Sequence, residues 1–300
     1  MLSRPRITAI ALVTSISVWV LFVAAGCSPP LDAVVDGQVV APEPTPLVTT
    51  VPAALPTLGP AAQQFAAVDE TPEAVPWYSV DRVAQPYGQA VRGVLTFRGS
   101  PNRTYYGQGP VPDSPRVQWS YPGAKMCSVS SVFDEEREWC GTGWTGQPAV
   151  WERGGELWVA FGAYDRNVHV LDGVTGAPRM APFPTGDLIK GSLTVDPDGH
   201  PLIYVGSRDD KLRVLSFDTG ELIELWSLSA YAVEQRRWND DWDGAPVILD
   251  DYMFVGGENS NFHVVKLNRG YDSAGNVTVA PELRAAVPGW DDELLSVLGD

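Results

Sequence analysis

The stretch Asn239-Asp240-Asp241-Trp242-Asp243-Gly244 carries oxygen-bearing side chains at alternate positions and ends on a glycine. With Asp250 in the twelfth place, Asn239, Asp241 and Asp243 fit the pattern of a calcium loop, in which hard oxygens surround a hard cation. Two features weigh against that use. Ala245 to Leu249 reads as a strand, where a calcium loop leads into a helix, and aspartate in the last place is shorter than the usual bidentate glutamate. The other reading is an acidic loop between structural units, and no metal is assigned with confidence.

The sequence has three cysteines. If Cys27 is otherwise used, Cys127 and Cys140 remain as an even pair. In an oxidising compartment such a pair is expected as a disulfide, closing a loop around the acidic run Asp134 to Glu138 and contributing about 3 kcal/mol. A metal pair and two free thiols are the alternatives, and no histidine stands near enough in sequence to favour the metal. His169 and His263 flank apolar residues in strand-like runs and are expected on a polar side, in different units. Asp291-Asp292-Glu293 reads as a solvated acidic face. No Gly-x-Ser-x-Gly elbow, His-Glu-x-x-His pair or phosphate-binding loop occurs. No catalytic residue is therefore assigned.

Cys27 belongs to a different kind of signal. Arg4 and Arg6 precede an uncharged stretch, Ile7 to Ala25, followed by Ala24-Ala25-Gly26-Cys27. Small residues directly before a cysteine, after a basic start and an apolar run, look like a bacterial lipobox. That predicts a signal peptide over residues 1–26 and a lipid on the Cys27 thiol. An uncleaved membrane anchor is the alternative, because the apolar run is long enough to span a bilayer. Ser28 to Pro76 then holds ten prolines and no lysine or arginine. Proline favours extended backbone and lacks a donor, so residues 27–90 read as a lipidated cysteine and a mostly disordered, semi-rigid spacer. The expected location is the cell membrane, lipid-anchored and facing away from the cytoplasm.

The whole chain of 300 residues carries a formal net charge of −16, which argues against nucleic acid as a partner because phosphate binding needs clustered Lys and Arg. Hydrophobic residues at 44% with 11 Trp leave ample material for a core.

The elements that must position these residues come from a repeat. Gly146-Gln-Pro-Ala-Val150, Leu157 to Gly162, Asp165 and Val168 to Leu171 match Gly191 to Val195, Leu202 to Gly206, Asp209 and Leu212 to Leu215. They match again Gly244 to Ile248, Tyr252 to Gly256, Asn259 and Phe262 to Val265. The closing glycines Gly162, Gly206 and Gly256 are 44 and 50 residues apart, and the extra length falls within Tyr231 to Asp243. Each unit reads as short strands bounded by Gly, Asp and Asn, with Leu222 to Trp226 as a fourth strand. Four strands per 44–50 residues is the period of a β-propeller blade. Trp144 and Trp242 sit two residues before a blade's opening glycine and Trp226 closes the second blade, positions suited to packing between blades.

The Gly-x-Pro-Val start at Gly244, the Tyr204-Val-Gly-Ser207 strand and the Asp-x-x-Thr-Gly turn ending at Gly176 resemble the pyrroloquinoline-quinone (PQQ) repeat. Phe97-Arg-Gly-Ser-Pro-Asn-Arg-Thr104 is similar to the lead-in of PQQ-like propellers, and Arg116-Val-Gln-Trp119-Ser-Tyr121 to the strand that closes their ring. The resemblance covers residues 91–300 and implies an all-β fold of PQQ-like blades. About three complete blades are expected, with a fourth beginning near Leu295, in an open or truncated ring. The family's quinone dehydrogenases imply PQQ and Ca²⁺ as cofactors, but the vicinal cysteine pair they place against the quinone is missing here. Its non-catalytic lipoproteins imply instead a tethered binding or assembly module with a cell-envelope protein or glycan as partner, and the lipobox fits these better.

Overall fold

The computed structural model describes residues 83–298, except 89, 108, 133, 134, 144 and 145. The expected signal segment, Cys27 and most of the 27–90 linker lie outside the described residues, as does Trp144.

A short strand β1 (Gly93–Val94) and a hairpin, β2 (Cys127–Val132) with β3 (Glu135–Cys140), precede the repeats. The first repeat forms β4 (Ala149–Arg153), β5 (Glu156–Gly162), β6 (Asn167–Asp172) and β7 (Phe183–Pro184). The second forms β8 (Thr194–Val195), β9 (Leu202–Gly206), β10 (Lys211–Ser216) and β11 (Ile223–Ser229). The third forms β12 (Val247–Leu249), β13 (Tyr252–Gly256) and β14 (Asn261–Lys266). A small hairpin, β15 (Gly270–Tyr271) and β16 (Val277–Thr278), then intervenes before the fourth strand, β17 (Glu282–Pro288). Each repeat is an antiparallel meander in chain order, which is the make-up of a propeller blade. The fourth strand of the first blade has two residues because Pro178, Pro182 and Pro184 lack the donors that a longer ladder needs.

Strand alternation gives every blade two apolar faces. Trp158 and Ala160 face the second blade, and Leu202 and Tyr204 hold the same register positions in that blade. Their neighbours Val159 and Phe161, Ile203 and Val205, and Met253 and Val255 face the other way. Val159 and Phe161 form a separate cluster with Leu171, covered by Trp119, Tyr121 and Met126. The remaining inward residues make one continuous core through all three blades. Residues 116–121 therefore lie on the face of the first blade and form no strand, contrary to the ring-closing strand expected from the resemblance. Trp119 donates from Nε1 to the Gly173 carbonyl at 3.2 Å.

The lead-in segment crosses the first strands of the blades. β1 pairs with β4, and Gly93 there has φ +154; a Cβ would overlap the Val150 carbonyl oxygen. The Thr96 and Thr194 hydroxyls are 2.8 Å apart, and Thr194 donates to the Pro246 carbonyl at 2.6 Å. Arg103 donates to Thr96 Oγ1 and to the Ala245 carbonyl, both at 2.9 Å. The Tyr87 hydroxyl donates to the Ile248 carbonyl at 2.7 Å. One strap thus ties together the inner edges of three blades.

Where a fourth blade was expected to begin, Asp292–Leu298 forms a short helix, α1. Asp291 accepts from Leu294 N at 2.8 Å, so an acidic cap starts a turn where strand pairing was expected. Among the described residues no helix is long and apolar enough to cross a membrane.

Candidate functional site

In a four-stranded meander, the turns from second to third strand and the crossovers to the next blade emerge at one end. That end gathers the charged groups. Lys190 comes from the crossover between β7 and β8, and Arg208 from the β9–β10 turn. Asp241 and Asp243 come from the β11–β12 crossover, and Glu258 from the β13–β14 turn. Lys190 Nζ lies 2.6 Å from Asp243 Oδ2, 3.3 Å from Asp241 Oδ2 and 3.8 Å from Glu258 Oε1. Arg208 Nε donates to Asp241 Oδ2 at 2.6 Å. Asn239 Nδ2 donates to Glu258 Oε2 at 2.7 Å.

Burial pushes the Asp243 carboxyl up to about 7; its hydrogen bond with Glu258 adds to the rise, and Lys190 opposes it. Burial also acts to raise Glu258, but hydrogen bonds from Asp243 and Asn239, with Lys190 and Arg208 nearby, hold it below the usual carboxylate range. Burial acts to lower Lys190, and the carboxylates of Asp243, Asp241 and Glu258 outweigh it, so the ammonium is held more firmly than in water.

The hairpin β2–β3 reaches over this end. Ser130 Oγ donates to Asp187 Oδ2 at 3.0 Å, and Arg208 Nη1 donates to Ser130 Oγ at 3.0 Å and to the Ser131 carbonyl at 2.9 Å. Cys127 and Cys140 face each other across the hairpin and are joined by a disulfide. Ser128 Oγ donates to the Tyr164 carbonyl at 2.5 Å, and Tyr164 N donates to the Gly141 carbonyl at 2.9 Å, so the bonded end is fastened to the first blade.

The residues singled out in the calcium pattern are divided. Asp241 and Asp243 come together with Glu258, and oxygens of the three lie within 4.8 Å of one another. Asn239 contributes as a donor to Glu258. Asp250 sits in the β12–β13 turn at φ +47, and Glu258 is the third carboxylate instead. Lys190 and Arg208 engage Asp241 Oδ2 and Lys190 engages Asp243 Oδ2, while Asp243 Oδ1 is buried with no hydrogen-bond partner among the described residues; with a chain ammonium in their midst, these carboxylates do not fit Ca²⁺ as they stand.

His169 and His263 face the buried side of their blades, a correction to the polar side expected from sequence: they are 3% and 1% exposed. His169 Nε2 lies 3.0 Å from Asp165 Oδ2 and its Nδ1 3.1 Å from the Tyr121 hydroxyl. Arg213, at the same repeat position, donates from Nη1 to Asp209 Oδ1 at 2.8 Å. In the third blade Asn259 replaces the aspartate, and the His263 ring lies 4.8 Å from that of Trp242 at a tilt of 57°, its pKa lowered by burial. Trp242 itself is fully buried between blades, and Trp226 is partly buried against the same core.

Lys190, Arg208 and Glu258 escaped the motif reading. The signal for them is the repeat itself. Lys190 and Asp243 each precede a blade's opening glycine, and Arg208 and Glu258 each stand two residues after a closing glycine.

Three successive four-stranded antiparallel meanders make this a protein of β-propeller-blade architecture, and its repeats resemble the PQQ repeat. No protein-family model and no curated protein matches the sequence. Among solved structures, a quinohemoprotein alcohol dehydrogenase from Pseudomonas putida HK5 matches 46% of this chain and 20% of its own, at 18% identity and TM-score 0.31. A europium-containing methanol dehydrogenase matches 60% and 28%, at 17% identity and TM-score 0.33. BamB from Moraxella catarrhalis matches 48% and 55%, at 13% identity and TM-score 0.23. The match thus spans less than a third of either dehydrogenase and about half of BamB.

Proposed function

We propose that the chain is a membrane-tethered, extracytoplasmic propeller-blade protein that acts as a binding or assembly module of the cell envelope. The observation that carries this reading is the loop end. Its carboxylates are engaged by Lys190 and Arg208 of the chain itself, and it presents a hairpin and crossover loops outward. An end whose acidic side chains are largely paired within the chain suits a surface that receives a macromolecule. The tether is the lipid on Cys27, with residues 27–90 as its spacer. The envelope partner is a protein, with a glycan as the alternative.

The test is affinity capture of the tagged full-length protein from a crosslinked cell envelope, read by mass spectrometry. A reproducible envelope protein at native expression supports the reading, and none overturns it. The other reading is a PQQ- and Ca²⁺-dependent dehydrogenase. A ligand that binds only the native state raises its melting temperature, so added PQQ and Ca²⁺ leave Tm unchanged if that reading is wrong.

A further inference from the structure

The turns from first to second strand emerge at the end of the blades opposite the loop end. There the β4–β5 and β8–β9 turns leave a cleft between the first two blades, with a volume of about 230 Å³. Trp151, Val195 and Phe217 give it apolar walls, and Arg153, Asp196 and His200 give it a polar lining. The Trp151 and Phe217 rings meet edge to face, with centroids 5.9 Å apart.

The carboxylates around this cleft are answered within the chain, and its guanidinium is not. Asp196 is 0% exposed and accepts from the Tyr204 hydroxyl and from Arg269 Nη1, each at 2.7 Å. Glu152 lies 3.5 Å from Arg92 Nη1. Glu156 opposes Arg153 in the β4–β5 register, yet it accepts from Arg179 Nη1 at 2.7 Å. Arg153 instead holds its guanidinium 5.0 Å over the Phe217 ring, and no described residue gives it a carboxylate partner. On the same lining the His200 ring stacks on Tyr271 at 5.4 Å, and its Nδ1 is buried with no hydrogen-bond partner among the described residues.

We propose that the cleft binds a small aromatic monocarboxylate, its carboxylate on the Arg153 guanidinium and its ring against the wall of Trp151 and Phe217. The inference goes beyond the binding-module reading and does not depend on it. A guanidinium is a planar fork of donors that matches one carboxylate with two parallel hydrogen bonds. Stacking on Phe217 holds that fork in place before a ligand arrives. A phosphate dianion asks for more than one cation, and a cationic ligand would meet carboxylates that already have partners. The volume lies below the about 300 Å³ at which ligand pockets commonly start, which suits one ring with its acid group. The chain carries a net charge of −16, so its overall field repels an anion and affinity for one must come from the cleft.

The test titrates the full chain into para-fluorophenylacetate and follows the fluorine NMR line. The expected result is saturable broadening, with the dissociation constant raised about ten-fold or more in Arg153→Gln. Arg92→Gln removes the same charge from a neighbour whose side chain is 84% exposed, and should leave binding unchanged. The neutral para-fluorophenylacetamide and the cationic para-fluorobenzylamine should not bind the wild type, a comparison that needs no variant to fold. Absence of saturable broadening, equal affinity of the acid for wild type and Arg153→Gln, or equal affinity of the wild type for acid and amide overturns the proposal. Each of these outcomes leaves the envelope-capture result, and with it the binding-module reading, untouched.

Discussion

Lys190 Nζ and Asp243 Oδ2 are 2.6 Å apart, and the two residues hold one repeat position in successive blades, each directly before the opening glycine. The pair therefore joins the second blade to the third at a fixed register. Side-chain exposures of 18% and 23% place it mostly out of water. Removing one partner leaves charge without compensation, which costs more than the pair itself contributes. Lys190→Met is expected to destabilise the chain by about 2–4 kcal/mol, read as a lowered urea midpoint. Adding Asp243→Asn to that variant should recover part of the loss; no recovery would mean that Lys190 acts through something other than this carboxyl.

The raised Asp243 carboxyl gives a pH dependence of definite sign. Asp243 is raised to about 7 in the folded chain, so between its unfolded value and neutrality the native state binds more protons than the unfolded state. Its contribution to stability is fully present below about pH 4 and is lost as pH rises through about 7. Glu258 is shifted downward and works in the opposite direction, losing its contribution only as pH falls below the usual carboxylate range. Urea midpoints measured from about pH 5 to about pH 8 should fall in the wild type and fall less in Asp243→Asn. Parallel curves would show that Asp243 is not the titrating group.

The blades were readable from sequence because a short period of apolar runs and Gly-Asx turns leaves few architectures. Trp242 was readable as interblade packing for the same reason, since its place recurs. The calcium pattern misled because spacing along the chain says nothing about a lysine arriving from the preceding blade: Lys190 lies far from Asp241 in sequence and 3.3 Å from it in space. The strap was invisible for a similar reason. Tyr87 and Arg103 belong to no repeat, and their partners Ile248 and Ala245 are more than a hundred residues on. His169 and His263 were placed on the wrong side because a histidine between valines looks like the polar member of an alternating strand. In a propeller both blade faces are covered, so alternation no longer separates core from solvent.

The disulfide fastens the hairpin that reaches across the loop end. Cys127 and Cys140 are direct partners in the β2–β3 register, and Ser130 and Ser131 of β2 meet Asp187 and Arg208. Reduction, or Cys127→Ser with Cys140→Ser, releases at most about 3 kcal/mol of loop-closure constraint. The loss should be local. Hydrogen exchange should quicken at residues 127–140, with the β9 and β10 amides unchanged. Quickening throughout the second blade would show that the hairpin supports the core and does not merely cover it.

The second and third blades approach closely at Gly206. A Cβ there would overlap the backbone oxygen and the Cβ of Trp242, which leaves room for glycine alone. Trp242 is 0% exposed, donates from Nε1 to the Asp210 carbonyl at 3.1 Å and packs on His263. The tight strand meets the backbone that the buried ring anchors, so the substitutions are expected to couple through any shift of that backbone. Trp242→Ala is expected to cost about 3–5 kcal/mol from the cavity and the stranded carbonyl. Gly206→Ala should cost about 1–3 kcal/mol by forcing the blades apart. In the double variant the alanine methyl still meets the backbone oxygen and the Cβ at position 242, which Trp242→Ala keeps, so the Gly206→Ala cost should fall only as far as the vacated ring volume lets that backbone shift. A double-mutant cycle by chemical denaturation measures this. A coupling energy of zero would mean that emptying the ring site does not let the backbone at position 242 move.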